Sequence, residues 1–139
     1  MTRVGFYVIQ NSAADARLNV AARIAEKAFA QGMRIYINAD SEQQARALDD
    51  LLWSARPTSF LPHGLTGEEH AEKIAIGWGQ EPDTHDDLLI NLKLGVPPFF
   101  GRFRRVAEVV TQDPASLTAL RESWKYYKER GYELEKHDL

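Results

Sequence analysis

The stretch RVGFYVIQNSAADARLNVAARIAEKAFAQGMRIYIN, from Arg3 to Asn38, decides the fold class of this sequence. It begins with Arg3–Ile9, a β-branched and aromatic run that is typical of a buried strand and that the polar residues QNS end. Apolar residues at helical spacing then predict a helix over Arg17–Gln31, with Gly32 as its stop. Met33–Asn38 has the pattern of a second buried strand. Because strand, helix and strand follow within about 35 residues, we expect a βαβ unit whose two strands pair in parallel through a right-handed crossover.

Helix and strand patterns alternate along the rest of the chain. A second helix is expected over residues 39–54, where Ser41 begins a capping box, and residues 55–69, with their prolines and glycines, are expected to form a loop. The last helix is capped by Asp113 and ends at Gly131. Further buried strands are expected at Lys73–Trp78, Leu88–Leu92 and Arg105–Val110, and a turn or helix start at residues 95–103.

This alternation predicts a single α/β domain over residues 1–139, with three layers and a mostly parallel central sheet between helices on both faces. Sheets of this kind often bind nucleotides at a glycine-rich turn after the first strand. The residues at that place are QNSAADAR, without glycine. The sequence also has no Gly-Lys-Ser/Thr phosphate loop and no Gly-x-Ser-x-Gly nucleophile elbow. We therefore expect a Rossmann-like fold without the nucleotide-binding glycine loop, no cofactor and no catalytic site.

The composition narrows the class of protein further. The chain has 139 residues, of which 44% are hydrophobic and 27% charged, which is enough apolar material for a core. The absence of cysteine excludes disulfides, thiolate metal sites and cysteine nucleophiles. No run approaches the roughly 18 apolar residues of a membrane helix, and no signal peptide is evident, so a cytoplasmic protein is expected. A net charge of −3 disfavours a broad nucleic-acid-binding surface.

Three histidines lie among acidic residues, which raises the question of a metal site. His63 and His70 are seven residues apart with Glu68 and Glu69 between them, and His85 stands among three aspartates. None of them has a short ligand spacing such as His-Glu-x-x-His. We therefore expect solvated polar loops and no metal site.

The segment SFLPHGL, Ser59–Leu65, carries large apolar residues where a surface loop is expected. Phe60 and Leu61 either tuck into the core or form an apolar patch for a partner. Trp53, at the end of the preceding helix, is close enough to join such a patch.

An aromatic and basic cluster, SWKYYKERGYEL, lies near the end of this acidic chain at Ser123–Leu134. Helical spacing predicts a core-facing stripe formed by Leu117, Leu120, Trp124 and Tyr127. A basic stripe lies beside it, formed by Arg121, Lys125 and Lys128. The cluster is either a core helix with a solvated flank or a pocket for an acidic peptide with an aromatic last residue and a free carboxylate. Stacking of single-stranded bases on the same residues is a further alternative.

Five stretches then identify a family by their order: FYV, ARALDDLLW, RPTSFLPHGL, DLLINL and RESWKYYKERGYEL. On these stretches, which extend over residues 2–134, the chain resembles the chi subunit family of bacterial DNA polymerase III. The resemblance implies a non-catalytic accessory subunit of the holoenzyme that acts in DNA replication, at replication forks on the nucleoid. It also implies a fold similar to nucleotide-binding α/β folds without the nucleotide site.

The resemblance implies two protein partners and no membrane. One partner is the psi subunit, which ties chi to the clamp loader, and in some bacteria a helicase-like protein shares that face. The other is the acidic C-terminal tail of single-stranded-DNA-binding protein, whose last residue is usually phenylalanine. Contact with single-stranded DNA is then indirect, and direct binding of single-stranded nucleic acid is the alternative function. The implied psi face comprises Trp53, Phe60, Leu61, Pro62 and His63.

Carried over position by position, the family's tail pocket falls on the last helix. Arg121 matches the arginine that meets the terminal carboxylate of the tail, and Trp124 matches an aromatic wall. The basic residue that some members carry near the helix start has no counterpart in PASLTAL, residues 114–120. The remaining pocket positions are Lys125, Lys128, Gly131, Tyr132 and, at the floor, Val110.

Overall fold

The computed structural model of the chain describes residues 2–10, 15–54, 63–66, 68, 73–82 and 84–139. These residues form a seven-stranded sheet, three helices and one 3-10 turn at Phe100–Arg102. The helices are α1 (Ala16–Ala30), α2 (Glu42–Ser54) and α3 (Pro114–Glu129). The strands are β1 (Arg3–Val8), β2 (Ile35–Asn38), β3 (His63–Leu65), β4 (Ile74–Gly77), β5 (Leu88–Asn91), β6 (Arg105–Val110) and β7 (Glu133–Asp138). None of these helices is long and apolar enough to span a membrane.

The strands follow the order β3-β4-β2-β5-β6-β1-β7 across the sheet. Every strand pairing within the described residues is parallel. Helices α1 and α2 pack on one face, and α3 packs on the other together with the 3-10 turn. The predicted three-layer α/β fold with helices on both faces is therefore confirmed.

The expected pairing of β1 with β2 is wrong. Strand β1 is hydrogen-bonded to β6 and β7, and β2 to β4 and β5. Two strands, β5 and β6, therefore lie between β1 and β2, and the connection through α1 crosses over both of them. A βαβ pattern establishes that two strands run in parallel, but it does not determine which later strands are inserted between them.

Two hydrophobic cores lie on opposite faces of the sheet, and β2 contributes to both. Ile35 and Ile37 pack in the core under α1 and α2, whereas Tyr36 packs in the core under α3. Successive residues of a strand point to opposite faces of the sheet. Because helices cover both faces at β2, all three side chains are fully buried. The continuous apolar run that predicted this strand is the pattern of a parallel strand covered on both sides.

The prediction missed both edge strands. Strand β3 lies inside residues 55–69, where a loop was expected, and it pairs with β4. Strand β7 has the sequence ELEKHD, in which only Leu134 is apolar, and it pairs with β1 along one edge. An edge strand tolerates charged residues because it is incompletely covered, and the charges discourage pairing with other chains. Its polar sequence therefore lacks the pattern of a buried strand.

Both predicted helix caps are confirmed. The backbone N–H of Gln44 donates to Ser41 Oγ at 3.1 Å, and the Gln44 side chain accepts from the N–H of Asp40 at 2.8 Å. At the start of α3, Asp113 accepts from the N–H of Ser116 at 3.1 Å. Hydrogen bonds to the Asp113 carboxylate from Thr111 and Ser116 lower its pKa to about 2, so the cap stays ionised at neutral pH.

Gly77, in β4, is expected to tolerate no side chain. A Cβ at this position overlaps the hydroxyl of Tyr36 and lies 2.9 Å from Thr66 Oγ1. We expect Gly77→Ala to lower the free energy of unfolding by about 1–3 kcal/mol, because overpacking forces the buried tyrosine to move. Urea unfolding measures this change.

Gly101→Ala is the matched control, since a Cβ at Gly101 meets no atom within 4 Å. In a Tyr36→Phe background the cost of Gly77→Ala should shrink, because the overlapping hydroxyl is gone. Equal stabilities of Gly77→Ala and Gly101→Ala would contradict this account of β4.

Candidate protein-binding surfaces

A buried hydrogen-bond network ties α3 to the sheet. Tyr127 Oη donates to Glu108 Oε2 at 2.8 Å, and Asn91 Nδ2 donates to Glu108 Oε1 at 2.8 Å. Asn91 Oδ1 in turn accepts from Asn38 Nδ2 at 3.0 Å. Asn38, Asn91 and Glu108 are in register across β2, β5 and β6, so their side chains reach the same face of the sheet. None of the four side chains belongs to a residue more than 5% exposed.

The carboxyl group at the centre of this network has a shifted pKa. Burial raises the pKa of Glu108 to about 7, against the opposing effect of the hydrogen bonds from Tyr127 and Asn91. Burial and the neighbouring carboxylate both raise the pKa of Tyr127, so its phenol remains a donor. The attachment of α3 to the sheet therefore involves a group that titrates near neutral pH.

Aromatic packing holds the rest of α3 against the sheet. The Trp124 ring centroid lies 5.1 Å from that of Phe6, which is fully buried in β1. The Tyr127 ring centroid lies 5.1 Å from that of Phe100 in the 3-10 turn. Tyr127 is fully buried, whereas Trp124 is only half-buried. The indole of Trp124 thus packs on the core on one side and remains accessible on the other.

A row of cations flanks this accessible indole. Arg121, Lys125 and Lys128 are exposed. Arg121 and Lys128, three residues before and four after Trp124, lie on its side of α3, and Lys125, one turn from each of them, continues their row. Lys125 Nζ lies 3.9 Å from Glu129 Oε1. Both side chains are exposed, so this ion pair contributes little to stability. Among the described residues, Arg121 and Lys128 form no ion pair. We call Arg121, Trp124, Lys125 and Lys128 the basic flank of α3.

Strand β7 adds a further cation that the sequence analysis missed. Leu134 packs into the core under α3, so Lys136, two residues later, points to the same side of the sheet. Lys136 is in register with Phe6, the residue on which Trp124 packs. Asp138 partly neutralises it, with Oδ1 at 3.6 Å from Nζ. The sequence analysis did not predict Lys136 as a site residue because it did not predict β7. Only the register of β7 with β1 places Lys136 near the basic flank.

The other predicted tail-pocket residues are Val110, Gly131 and Tyr132. Val110 is buried in the same core cluster as Trp124. Gly131 has a φ of 80°, where α3 ends. Tyr132 packs against Phe100, with ring centroids 5.2 Å apart. Among the ring contacts of the described residues, none joins Trp124 to Tyr132, so the structure separates the predicted residues into the basic flank and an aromatic end.

The aromatic end contains two residues that the site prediction omitted. The Arg130 guanidinium carbon lies 3.5 Å from the ring centroid of Tyr126, a cation–π contact, and the Tyr126 ring packs edge-on against Phe100. The spacing of Tyr126 and Arg130 by four residues was the available signal. This contact occupies the guanidinium of Arg130, whereas the guanidinium of Arg121 forms no ion pair among the described residues.

A second candidate surface lies at the opposite edge of the sheet. Trp53, at the end of α2, is 44% exposed, and its ring centroid lies 4.1 Å from that of His63 in β3. His63 is fully buried, and its Nε2 lies 3.3 Å from Asp49 Oδ1. Partial burial raises the pKa of Asp49, and the charge of His63 opposes this shift. Phe60, Leu61 and Pro62 lie outside the described residues.

The histidines differ from the expectation of solvated loops. His63 and His85 are both buried, and His70 lies outside the described residues. No group of three histidine, aspartate or glutamate side chains in the described part of the chain is arranged to hold a metal ion. The sequence gave no sign of this burial, because the proline and glycine beside His63 and the polar residues beside His85 are typical of loops.

The fold and these surfaces define a three-layer α/β protein whose accessible basic and aromatic residues suit protein binding. The family model described as "DNA polymerase III chi subunit, HolC" matches residues 1–135. A DNA polymerase III subunit chi of Pseudomonas aeruginosa is 48% identical over 139 residues, with 100% of this chain and 98% of the relative covered. The chain belongs to the DNA polymerase III chi subunit family.

Two further relatives carry the same name. A DNA polymerase III subunit chi of Haemophilus influenzae is 32% identical over 132 residues, which covers 93% of this chain and 92% of the relative. That of Escherichia coli is 29% identical over 141 residues, with 96% of each chain covered. The family identified from the order of short stretches is therefore confirmed.

Glu108 is expected to make stability depend on pH. Because its pKa is raised from 4.5 to about 7 in the folded protein, folding favours the protonated carboxyl. The stabilisation is complete below pH 4.5 and is lost as the pH rises through about 7, by up to about 3 kcal/mol. Glu108→Gln should remove this dependence, and urea unfolding at a series of pH values measures it.

Glu122→Gln is the control, since Glu122 is exposed on α3. Subtracting the pH profile of Glu108→Gln from that of the wild type isolates the contribution of Glu108, and Glu122→Gln should keep the shape of the wild-type profile. Parallel profiles for wild type and Glu108→Gln would contradict the assignment of the titration to Glu108.

Proposed function

We propose that this chain is a non-catalytic accessory subunit of the DNA polymerase III holoenzyme that binds the acidic C-terminal tail of single-stranded-DNA-binding protein. It links that protein, through the psi subunit, to the clamp loader during DNA replication. The proposal places the tail on the basic flank of α3 and the psi subunit at the surface around Trp53. Membership of the chi subunit family supports a role among protein partners of the polymerase.

One observation carries the proposed tail site: a half-buried indole bordered by exposed cations on a firmly anchored helix. Trp124 offers an apolar surface for an aromatic side chain next to Arg121, whose guanidinium can grip a carboxylate with two hydrogen bonds. Lys125, Lys128 and Lys136 provide positive charge for the acidic residues that precede the tail's last residue. The Glu108–Tyr127 hydrogen bond fixes the helix that presents them.

The exposed indole of Trp53 supports the proposed psi surface. Exposed tryptophans are rare on a protein surface and frequent among residues that dominate binding energy. The ring of His63, tilted by 42° against the indole, and the Asp49 beside it hold this indole in place. Because β3 and β7 are the two edges of the sheet, a protein at Trp53 leaves the basic flank accessible.

Arg121→Ala is expected to weaken tail binding strongly. The measurement is titration calorimetry with a synthetic acidic peptide that ends in Pro-Phe with a free carboxylate. Removing one partner of a buried, hydrogen-bonded charge pair costs about 2–5 kcal/mol, so the affinity should fall by more than tenfold. Lys128→Ala should have a smaller effect, seen mainly in the association rate and the salt dependence.

Arg104→Ala is the matched control, because Arg104 is exposed, lies outside the basic flank and pairs only loosely with Asp87, at 3.9 Å. A single-stranded oligothymidylate distinguishes the alternative function. Tight oligonucleotide binding with a steep salt dependence, together with no peptide binding, would replace the tail site with direct nucleic-acid binding. Peptide binding that Arg121→Ala leaves unchanged would remove the site from the basic flank.

Trp53→Ala is expected to reduce association with the psi subunit and to leave tail-peptide binding unchanged. The truncation removes the indole and with it the exposed aromatic surface. Losses of binding free energy of about 2 kcal/mol or more are typical of such interface tryptophans. Co-purification from cells that express both subunits, followed by calorimetry, measures the change. A loss of peptide binding in the same variant would indicate general unfolding instead of a local effect.

A further inference from the structure

Among the described residues, no element covers one part of the sheet on the side of α1. Helix α1 packs on β2, β5 and β6, and α3 packs on β6 and β7 from the opposite side. Along β1, the side chains that face α3 are buried, with Val4 at 1% and Phe6 at 0% exposure. The alternate residues on the other face, Arg3 and Tyr7, are exposed and half-buried respectively. Parallel strands are almost always covered on both faces, so this bare half is unusual.

A groove of about 620 Å³ occupies the uncovered place. Its floor is apolar and comprises Gly5, Tyr7 and Ala107, and its wall on the α1 side contains the half-buried Val20 and Ile24. The groove runs between α1 and β7, which is the position that a further helix would take in a three-layer fold.

Because Gly5 has no side chain, nothing projects from β1 into the groove at this position. A Cβ at Gly5 lies 3.2 Å from Cε1 of Tyr7, so the tyrosine ring lies along the strand, over the glycine. The ring stacks on the imidazole of His137 in β7, with centroids 4.7 Å apart and an interplanar angle of 16°. Glycine inside a strand often marks a close approach of another group, and here it leaves a flat aromatic surface.

The charges around the groove are distributed unevenly. On the α1 side, Arg23 and Lys27 are exposed one turn apart, and Arg105 lies at the beginning of β6. These three cations form no ion pair within the part of the chain that the structure describes.

The β7 side carries Glu133 and Glu135, whose carboxylates lie 3.0 and 3.5 Å from the guanidinium of Arg3. A further carboxylate, that of Asp15, lines the end of the groove near the start of α1.

We propose that this groove binds an amphipathic helix of a partner protein, with its apolar stripe on Gly5 and Tyr7 and its acidic flank towards Arg23 and Lys27. The apolar floor and the unpaired cations supply complementary contacts for such a helix. The acidic rim at Glu133 and Glu135 disfavours a polyanion such as a nucleic acid. The groove lies on the face of the sheet opposite the basic flank of α3, so this proposal does not depend on the tail site.

The test uses a designed helical peptide and the full chain labelled for NMR. The peptide has about 15 residues, the length of α1, with leucine at helical spacing and glutamate along one flank. We expect its amide shift changes to fall on β1, α1 and β7. A peptide with lysine in place of every glutamate should bind at least tenfold more weakly.

Charge reversal locates the site. The variant with Arg23→Glu and Lys27→Glu should bind the acidic peptide at least tenfold more weakly, since both exposed cations are replaced by like charges. A matched variant with Lys73→Glu and Lys93→Glu, two exposed positions outside both the groove and the basic flank, should bind it as the wild type does. Sedimentation velocity of the chain alone tests whether a second copy fills the groove.

Several results would overturn the proposal. These are the absence of shift changes at millimolar peptide, shift changes confined to α3, equal affinity for the acidic and lysine peptides, and self-association that the Arg23→Glu and Lys27→Glu variant abolishes. Because the calorimetric test of the tail site uses another peptide and another face, failure of one test is distinguishable from failure of the other.

Discussion

The architecture depends on the position of β1 between β6 and β7. Hydrogen bonds on both edges of β1 join the first strand of the chain to strands from its last quarter. Helix α3 connects β6 to β7, and it therefore has to cross β1, where Trp124 meets Phe6. The same arrangement brings Lys136 to the side of the basic flank. The proposed tail site is thus a consequence of sheet order as much as of helix sequence.

The sequence predicted most of the fold because buried parallel strands and amphipathic helices have strong local patterns. The run around Tyr36 and the stripe through Tyr127 were identified correctly, since burial on both faces or on one face leaves a periodic signal. The edge strand β7 carries no such signal, and the insertion of β5 and β6 between β1 and β2 is a long-range choice. Sequence periodicity describes what a segment buries, but not which segment it lies beside.

The residues of the candidate site likewise divide into those that the sequence predicted and those that it did not. The residues on α3 were predictable because they share one helix, whereas Glu108, Phe6 and Lys136 reach the site from strands that are distant in sequence. The proposed psi surface and the proposed tail site lie towards opposite edges of the sheet, at β3 and β7. Six strand spacings separate these edges, or about 29 Å at about 4.8 Å per spacing. A rigid sheet of this width keeps two partners apart without a linker.

The pairing of β1 also has a consequence for the synthesis of the protein. The ribosome makes β1 first, yet its neighbour β6 begins only at Arg105 and β7 ends at Asp138. At roughly 5–20 residues per second, the apolar strand waits on the order of 5–20 s for β6. Strands β2, β4 and β5 can associate during translation, but the sheet closes only after β7 has emerged. The nascent chain therefore exposes Val4, Phe6 and Val8 until β6 has emerged, and exposed apolar strands of this kind are prone to aggregation.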